Sequence, residues 1–223
     1  MFPDLTSDDI FRLETRRLWM RWPRAADADA ITSFISRPEA ACWTAAIPHP
    51  YPQGEAERFI LQARAGNASG AALVLAIDQK AGSPQTIGLI SARPAAPTDI
   101  ELGYVLAPQL CGRGFATEAV AEAVNALFRI TMANSIIANS CVDNPASRQV
   151  LEKLGFSFIE SGLEFLPVRR GMQLCDRFRL DRRSWAAKRV AMGESRAMPP
   201  MAQQSPGENR APVLAMAGEQ MER

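Results

Sequence analysis

The chain has 223 residues, with 25 Lys and Arg against 24 Asp and Glu and a single His. That balance gives no support to a general polyanion-binding role, and the length suits one domain with a single sizeable core. Cys42, Cys111, Cys141 and Cys175 are scattered and form no C-x-x-C pair, so with one His no metal site is expected.

The opening stretch MFPDLTSDDIF is acidic and lacks an apolar core, so no secretory signal is expected. No apolar run reaches the ~20 residues of a membrane span. A reducing cytoplasm is the expected compartment, with neither membrane attachment nor direct nucleic-acid binding.

Residues 1–12 read as a polar lead-in, followed by a strand over Leu18–Trp22 that Pro23 ends. Asp27 to Ile35 is a predicted helix with Ala28, Ile31, Phe34 and Ile35 on one face. Pro38 to Pro52 reads as irregular, with Trp43, His49 and Tyr51 among its prolines. His49 is given no catalytic role, and Trp43 and Tyr51 suit core or pocket wall. A second helix is predicted over Gly54–Ala65, stopped by Gly66-Asn67-Ala68-Ser69-Gly70.

Three strands follow at hairpin spacing, Ala72–Asp78, Thr86–Arg93 and Ile100–Leu106. The period then changes: Ala116, Val120, Ala123, Val124, Leu127 and Phe128 make a helical stripe, opposite Glu118, Glu122, Asn125 and Arg129. A strand over Ser135–Val142 and a helix over Pro145–Leu154, closed by Gly155, come next. Strands over Phe156–Glu160 and Met172–Leu180 precede a basic turn at Arg182-Arg183-Ser184-Trp185, and residues 189–223 read as a disordered tail. The order describes a mixed sheet flanked by helices, in the α/β or α+β class.

The most informative segment is Pro108 to Thr117, where a strand gives way to Gly112-Arg113-Gly114-Phe115-Ala116-Thr117 and a long amphipathic helix. Glycines let backbone N–H groups converge, the helix start adds unpaired donors and partial positive charge, and Arg113 can add a full charge. A tight turn without ligand is the other reading of the glycines alone. A Walker A loop is excluded, because Arg113-Gly114-Phe115 stands where Gly-Lys-Ser/Thr is needed. A dinucleotide fingerprint is disfavoured: Thr117 fills the third Gly position and hairpin strands precede the loop, although Asp143 could mimic the ribose acid.

Glu101 to Pro108 running into Gly112 to Ala119 resembles the coenzyme A motif of GNAT acetyltransferases, and is most similar to the RimJ/RimL branch of ribosomal-protein N-terminal acetyltransferases. Three more segments carry the likeness: Leu13 to Leu18, Pro48 to Ile60, and Asn144-Pro145-Ala146-Ser147 through Gly155-Phe156. The resemblance runs from about Leu13 to Trp185, and the domain it implies covers residues 13–188. It implies a mixed, mainly antiparallel sheet of about seven strands, splayed between the fourth and fifth, with pantetheine in the gap.

By the same resemblance acetyl-CoA is the cosubstrate, and a primary amine, small molecule or protein N-terminus, is the acceptor. Cys111, Gly112, Arg113, Gly114, Phe115, Ala116 and Thr117 would hold the pyrophosphate, with Cys111 departing from the family's usual Gln or Arg. Main-chain groups of Val105 and Leu106, and Asn144, would contact the pantetheine. Ser147 is the expected acid for the leaving thiolate, since Leu151 stands where many members have a Tyr. A Ser is also common in a first helical turn.

Glu101 interrupts an apolar strand on the face of Gly103 and Val105, opposite Leu102 and Tyr104. It is the candidate base, directly or through water, or else a solvated strand start. An acyl-cysteine route through Cys111 or Cys141 is disfavoured for want of an activating base. A domain that binds coenzyme A without turnover, as monomer or homodimer, stays open beside the enzyme.

Overall fold

The computed structural model describes residues 11–44, 47–82 and 85–191. An eight-stranded sheet runs in the order β1-β2-β3-β4-β5-β6-β8-β7. Its strands are Arg12–Glu14 (β1), Leu18–Arg21 (β2), Leu73–Gln79 (β3), Thr86–Ala96 (β4), Asp99–Leu106 (β5), Ser135–Cys141 (β6), Ser157–Leu166 (β7) and Gly171–Asp181 (β8). Every neighbouring pair is antiparallel except β5 and β6. The near-continuous apolar runs of β3 and β4 take the middle of the sheet, where helices cover both faces.

Ala28–Ile35 (α1), Pro38–Ala41 (α2) and Glu55–Ser69 (α3) follow the second strand. Ile31, Phe34, Ile35, Ala56 and Ile60 pack on Ala76 and Leu89. Phe115–Ile130 (α4), Pro145–Leu154 (α5) and Arg182–Ala191 (α6) line the other face, where Val120, Val124, Leu127 and Leu151 meet Leu75, Ile77, Leu102 and Phe178. Alternation along β5 therefore sends Leu102, Tyr104 and Leu106 towards α4, and Glu101 and Val105 towards α1 and α3.

Several elements differ from the sequence reading. Arg12–Glu14 forms an extra edge strand by pairing with β2, a short polar segment that only its partner reveals. α3 runs through Gly66–Ser69 to Gly70, because Asn67 donates to the Val74 carbonyl and accepts from its N–H. The β7–β8 hairpin is longer than expected, since β7 is exposed along most of its length and shows no alternating burial. Arg182 opens a helix rather than a turn, and its guanidinium donates to the carbonyls of Phe128, Thr131 and Ala133 at the end of α4. Residues 189–191, expected as the start of the tail, continue α6, and the rest of the expected tail lies outside the described residues.

The sheet opens between β5 and β6, the fourth and fifth strands of the sequence reading. The two pair only at Asp99–Ser135, Ile100–Ile136 and Glu101–Ile137. Ser135 Oγ donates to Asp99 at 2.6 Å and the Asn134 N–H to the Thr98 carbonyl at 2.7 Å, pinning the closed end. Beyond Ile137, β6 bonds to β8 alone, leaving a wedge that widens towards Leu106 and Cys141.

Candidate active site

One wall of the wedge mouth is the loop ahead of α4. Pro108–Leu110 makes a single helical turn, after which Gly112 and Gly114 adopt φ of 76° and 77°. A side chain at Gly112 would meet nothing within 4 Å, so backbone conformation and not crowding demands glycine there. No side chain caps α4 at Gly114. Its first N–H groups are thus left to an outside acceptor, beside the exposed Arg113.

A brace invisible to local sequence reading holds this loop. Arg17 donates through Nη1 to the Arg113 carbonyl at 2.9 Å and stacks its guanidinium 4.4 Å from the Phe115 ring centre. Glu118, read from sequence as part of a polar stripe, accepts from Arg17 Nε at 2.6 Å, the Arg17 N–H at 2.8 Å and Thr15 Oγ1 at 2.6 Å. Burial opposes its ionisation most, but these hydrogen bonds together outweigh it and hold the carboxyl below its ordinary value.

The strand side of the wedge is β5. The Ala107 N–H donates to the Ile87 carbonyl at 2.8 Å, which sets the alternation of the β4–β5 ladder. It commits Val105's peptide groups to Leu89 and turns those of Tyr104 and Leu106 towards the side where β6 has departed. Gly88 permits the tight ladder here, because a Cβ would lie 2.6 Å from the Val105 carbonyl oxygen.

Across the gap, Asn144 caps α5 by accepting from the Ser147 N–H at 3.1 Å, and Pro145 and Gly155 bound the helix as expected. Leu151 is fully buried, whereas Ser147 sits half-buried. Ser147 Oγ lies 2.9 Å from the Tyr104 hydroxyl, a contact sequence reading missed because its partners belong to different walls. Burial pushes the Tyr104 phenol up to about 12, with the Ser147 bond pulling the other way. Glu101 lies on the opposite face of β5 from Tyr104, half-buried, beside Arg93 and Ile137, and its carboxylate has no hydrogen-bond or ion-pair partner among the described residues.

Other candidates separate from this centre. Cys141 is buried 3.4 Å from Cys175 Sγ, and burial raises both thiols, the reverse of an activated nucleophile. Asp143 pairs with Arg169 at 2.8 Å, and the Arg169 guanidinium stacks 4.5 Å over Trp43. Tyr51 packs against the α1–α3 core. A hollow of about 300 Å³ between α1 and the ends of β3 and β4 is lined by residues such as Ser33, Gln79, Gln85 and Thr86, with no ionisable carboxyl, imidazole or amine among the described residues.

The bare start of α4, the open space above Gly112 and the unpaired edge of β5 together fit a pyrophosphate and an extended amide-bearing arm. Among the described residues no helix is long and apolar enough to cross a membrane. No curated protein matches the chain by sequence.

The sheet superposes on the ribosomal-protein-S5-alanine acetyltransferase of Vibrio fischeri with TM-score 0.67 and 21% identity, over 78% of this chain and 98% of that one. RimL, a ribosomal L7/L12 α-N-protein acetyltransferase in complex with coenzyme A, gives 0.69 and 15% over 78% and 99%. Spermidine N-acetyltransferase of Vibrio cholerae, with coenzyme A and spermine, gives 0.65 and 17% over 77% and 99%. At these identities the likeness establishes the fold. The acetyltransferase (GNAT) domain family matches residues 17–157, and the chain belongs to that family.

Proposed function

We propose that the protein transfers the acetyl group of acetyl-CoA directly to a primary amine. The observation that carries this reading is the wedge beyond Glu101–Ile137, with the uncapped α4 start on one side and the Ser147 hydroxyl on the other. Backbone N–H groups from Cys111 to Thr117 cradle the pyrophosphate and Arg113 adds charge. The main chain at Leu106, with that of Tyr104, and the Asn144 side chain hold the pantetheine arm, whereas the expected contact from Val105 is ruled out because its N–H and carbonyl face Leu89 in the β4–β5 ladder.

Glu101 accepts the amine proton, directly or through water. The neutral amine nitrogen then bonds to the thioester carbon and sheds its surplus proton to water, and collapse of the adduct breaks the C–S bond with its electron pair going to sulfur. Ser147 donates its proton to that sulfur. The acceptor is a protein N-terminus or a small amine, the two classes that the structural neighbours' names span. A cytoplasmic setting suits four free thiols, and residues 13–188 form the catalytic unit.

Thiol release from acetyl-CoA, measured over a panel of amines and N-terminal peptides, tests the reading. Turnover with at least one acceptor is expected. Coenzyme A binding without turnover on any acceptor would instead establish a silent binding domain.

A further inference from the structure

Tyr104 stands out because it spans the wedge. It projects from β5 on the α4 side, and its hydroxyl meets α5 at two atoms, Ser147 Oγ at 2.9 Å and the Ser147 carbonyl at 3.2 Å. One phenolic proton serves one acceptor at a time, and the shorter contact is to Oγ. If Tyr104 donates to Oγ, the Ser147 proton is free to point elsewhere, into the gap. If it donates to the carbonyl, Oγ–H points back at the phenol and away from any substrate.

An aliphatic hydroxyl acting alone is a poor acid, since giving up its proton leaves an alkoxide, the base of an acid about as weak as water. A phenol is a stronger acid than an alcohol even when burial raises it. A second proton moving from the phenol onto Oγ removes that obstacle.

We infer that Tyr104 is the positioning residue for Ser147: it donates to Oγ, directs the serine proton into the wedge, and passes its own proton to Oγ as the serine proton leaves. This rests on the acetyl-transfer reading above. In the step, the C–S bond breaks and its electron pair goes to sulfur. The Ser147 proton bonds to sulfur, the Tyr104 proton bonds to Oγ, and the phenolate regains a proton from water after product leaves. In this role the phenol acts on the thioester only through Ser147.

Single-turnover kinetics of Tyr104→Phe, which keeps the ring and removes only the hydroxyl, test the inference. The rate of transfer is expected to fall about tenfold to a hundredfold while coenzyme A affinity stays within twofold. Tyr104→Phe combined with Ser147→Ala should be no slower than Ser147→Ala alone. A proton inventory on the unaltered protein, in mixtures of H2O and D2O, should curve as two protons move together and become linear in Tyr104→Phe. A linear inventory in the unaltered protein, an unchanged Tyr104→Phe rate, or full additivity with Ser147→Ala would each overturn the role of Tyr104 while leaving acetyl transfer standing. Absence of transfer by the unaltered protein on every acceptor would remove both.

Discussion

Arg17 and Glu118 lie 101 positions apart in the chain and meet at 2.6 Å beneath the loop that leads into α4. The pair is partly shielded, with side chains 33% and 18% exposed, and Arg17 also holds the Arg113 carbonyl. Turn β1–β2 thereby sets the attitude of the loop from outside it.

Arg17→Ala should loosen the loop without touching the acid. Hydrogen bonds to a charged partner contribute about 1.5–3 kcal/mol, and loss of this set should weaken coenzyme A binding about tenfold. Calorimetric titration checks this, with the transfer rate at saturation expected to change less than affinity.

The same pair carries a pH signature. The folded-state pKa of Glu118 is depressed, so its stabilisation is fully present above the ordinary glutamate value and is lost as pH falls through the lower folded value. Urea denaturation should therefore show the gap in stability between the unaltered protein and Glu118→Gln narrowing as the solution is acidified from neutral into that range. A constant gap would contradict the assignment.

Gly112 should tolerate substitution according to backbone and not size. Its φ of 76° faces open space, so Ala costs about 1–2 kcal/mol in this conformation, whereas Asn adopts it more readily. Coenzyme A affinity should rank Gly above Asn above Ala, and above Val. A ranking by volume alone would point to crowding that the geometry does not show.

Ser147→Ala should lower the transfer rate about 10²- to 10⁴-fold with coenzyme A still bound, as expected for loss of a general acid. Glu101→Gln separates a dedicated base from water: a drop of similar size at neutral pH marks Glu101 as the base, and a full rate assigns that step to solvent. If both variants keep full rates, the catalytic assignment is wrong.

Arg182→Met should act on stability alone. Its guanidinium takes three carbonyls at the end of α4, far along the helix from the Gly112–Gly114 loop. Loss of about 2 kcal/mol in denaturant unfolding is expected, with coenzyme A affinity unchanged.

What could be read from sequence is what short-range physics writes into it. The α4 stripe from Val120 to Leu127, the cap-to-stop frame of α5 from Asn144 to Gly155 and the opposite facing of Glu101 and Tyr104 each depend on residues within about one element, where period and turn chemistry are local. The Gly112–Gly114 turn belongs to the same class, because positive φ selects for the residue at that position. Exposed β7 escaped in part because a strand with little burial has no alternation to display.

Tertiary structure decided the rest, through pairs that no local pattern encodes. Whether Glu118 is a polar stripe residue or the anchor of a loop depends on Arg17 and Thr15 arriving from the first hairpin. Whether Ser147 merely opens a helix or faces a phenol depends on β5 and β6 parting after three paired residues, so that Tyr104, 43 positions earlier, reaches across. The chain's own order specifies the elements and the polarity of each face. Only the closing of the sheet at Asp99–Ser135 and its opening beyond Ile137 bring those faces to one point, because hydrogen-bond registers and packing over long separations are settled jointly.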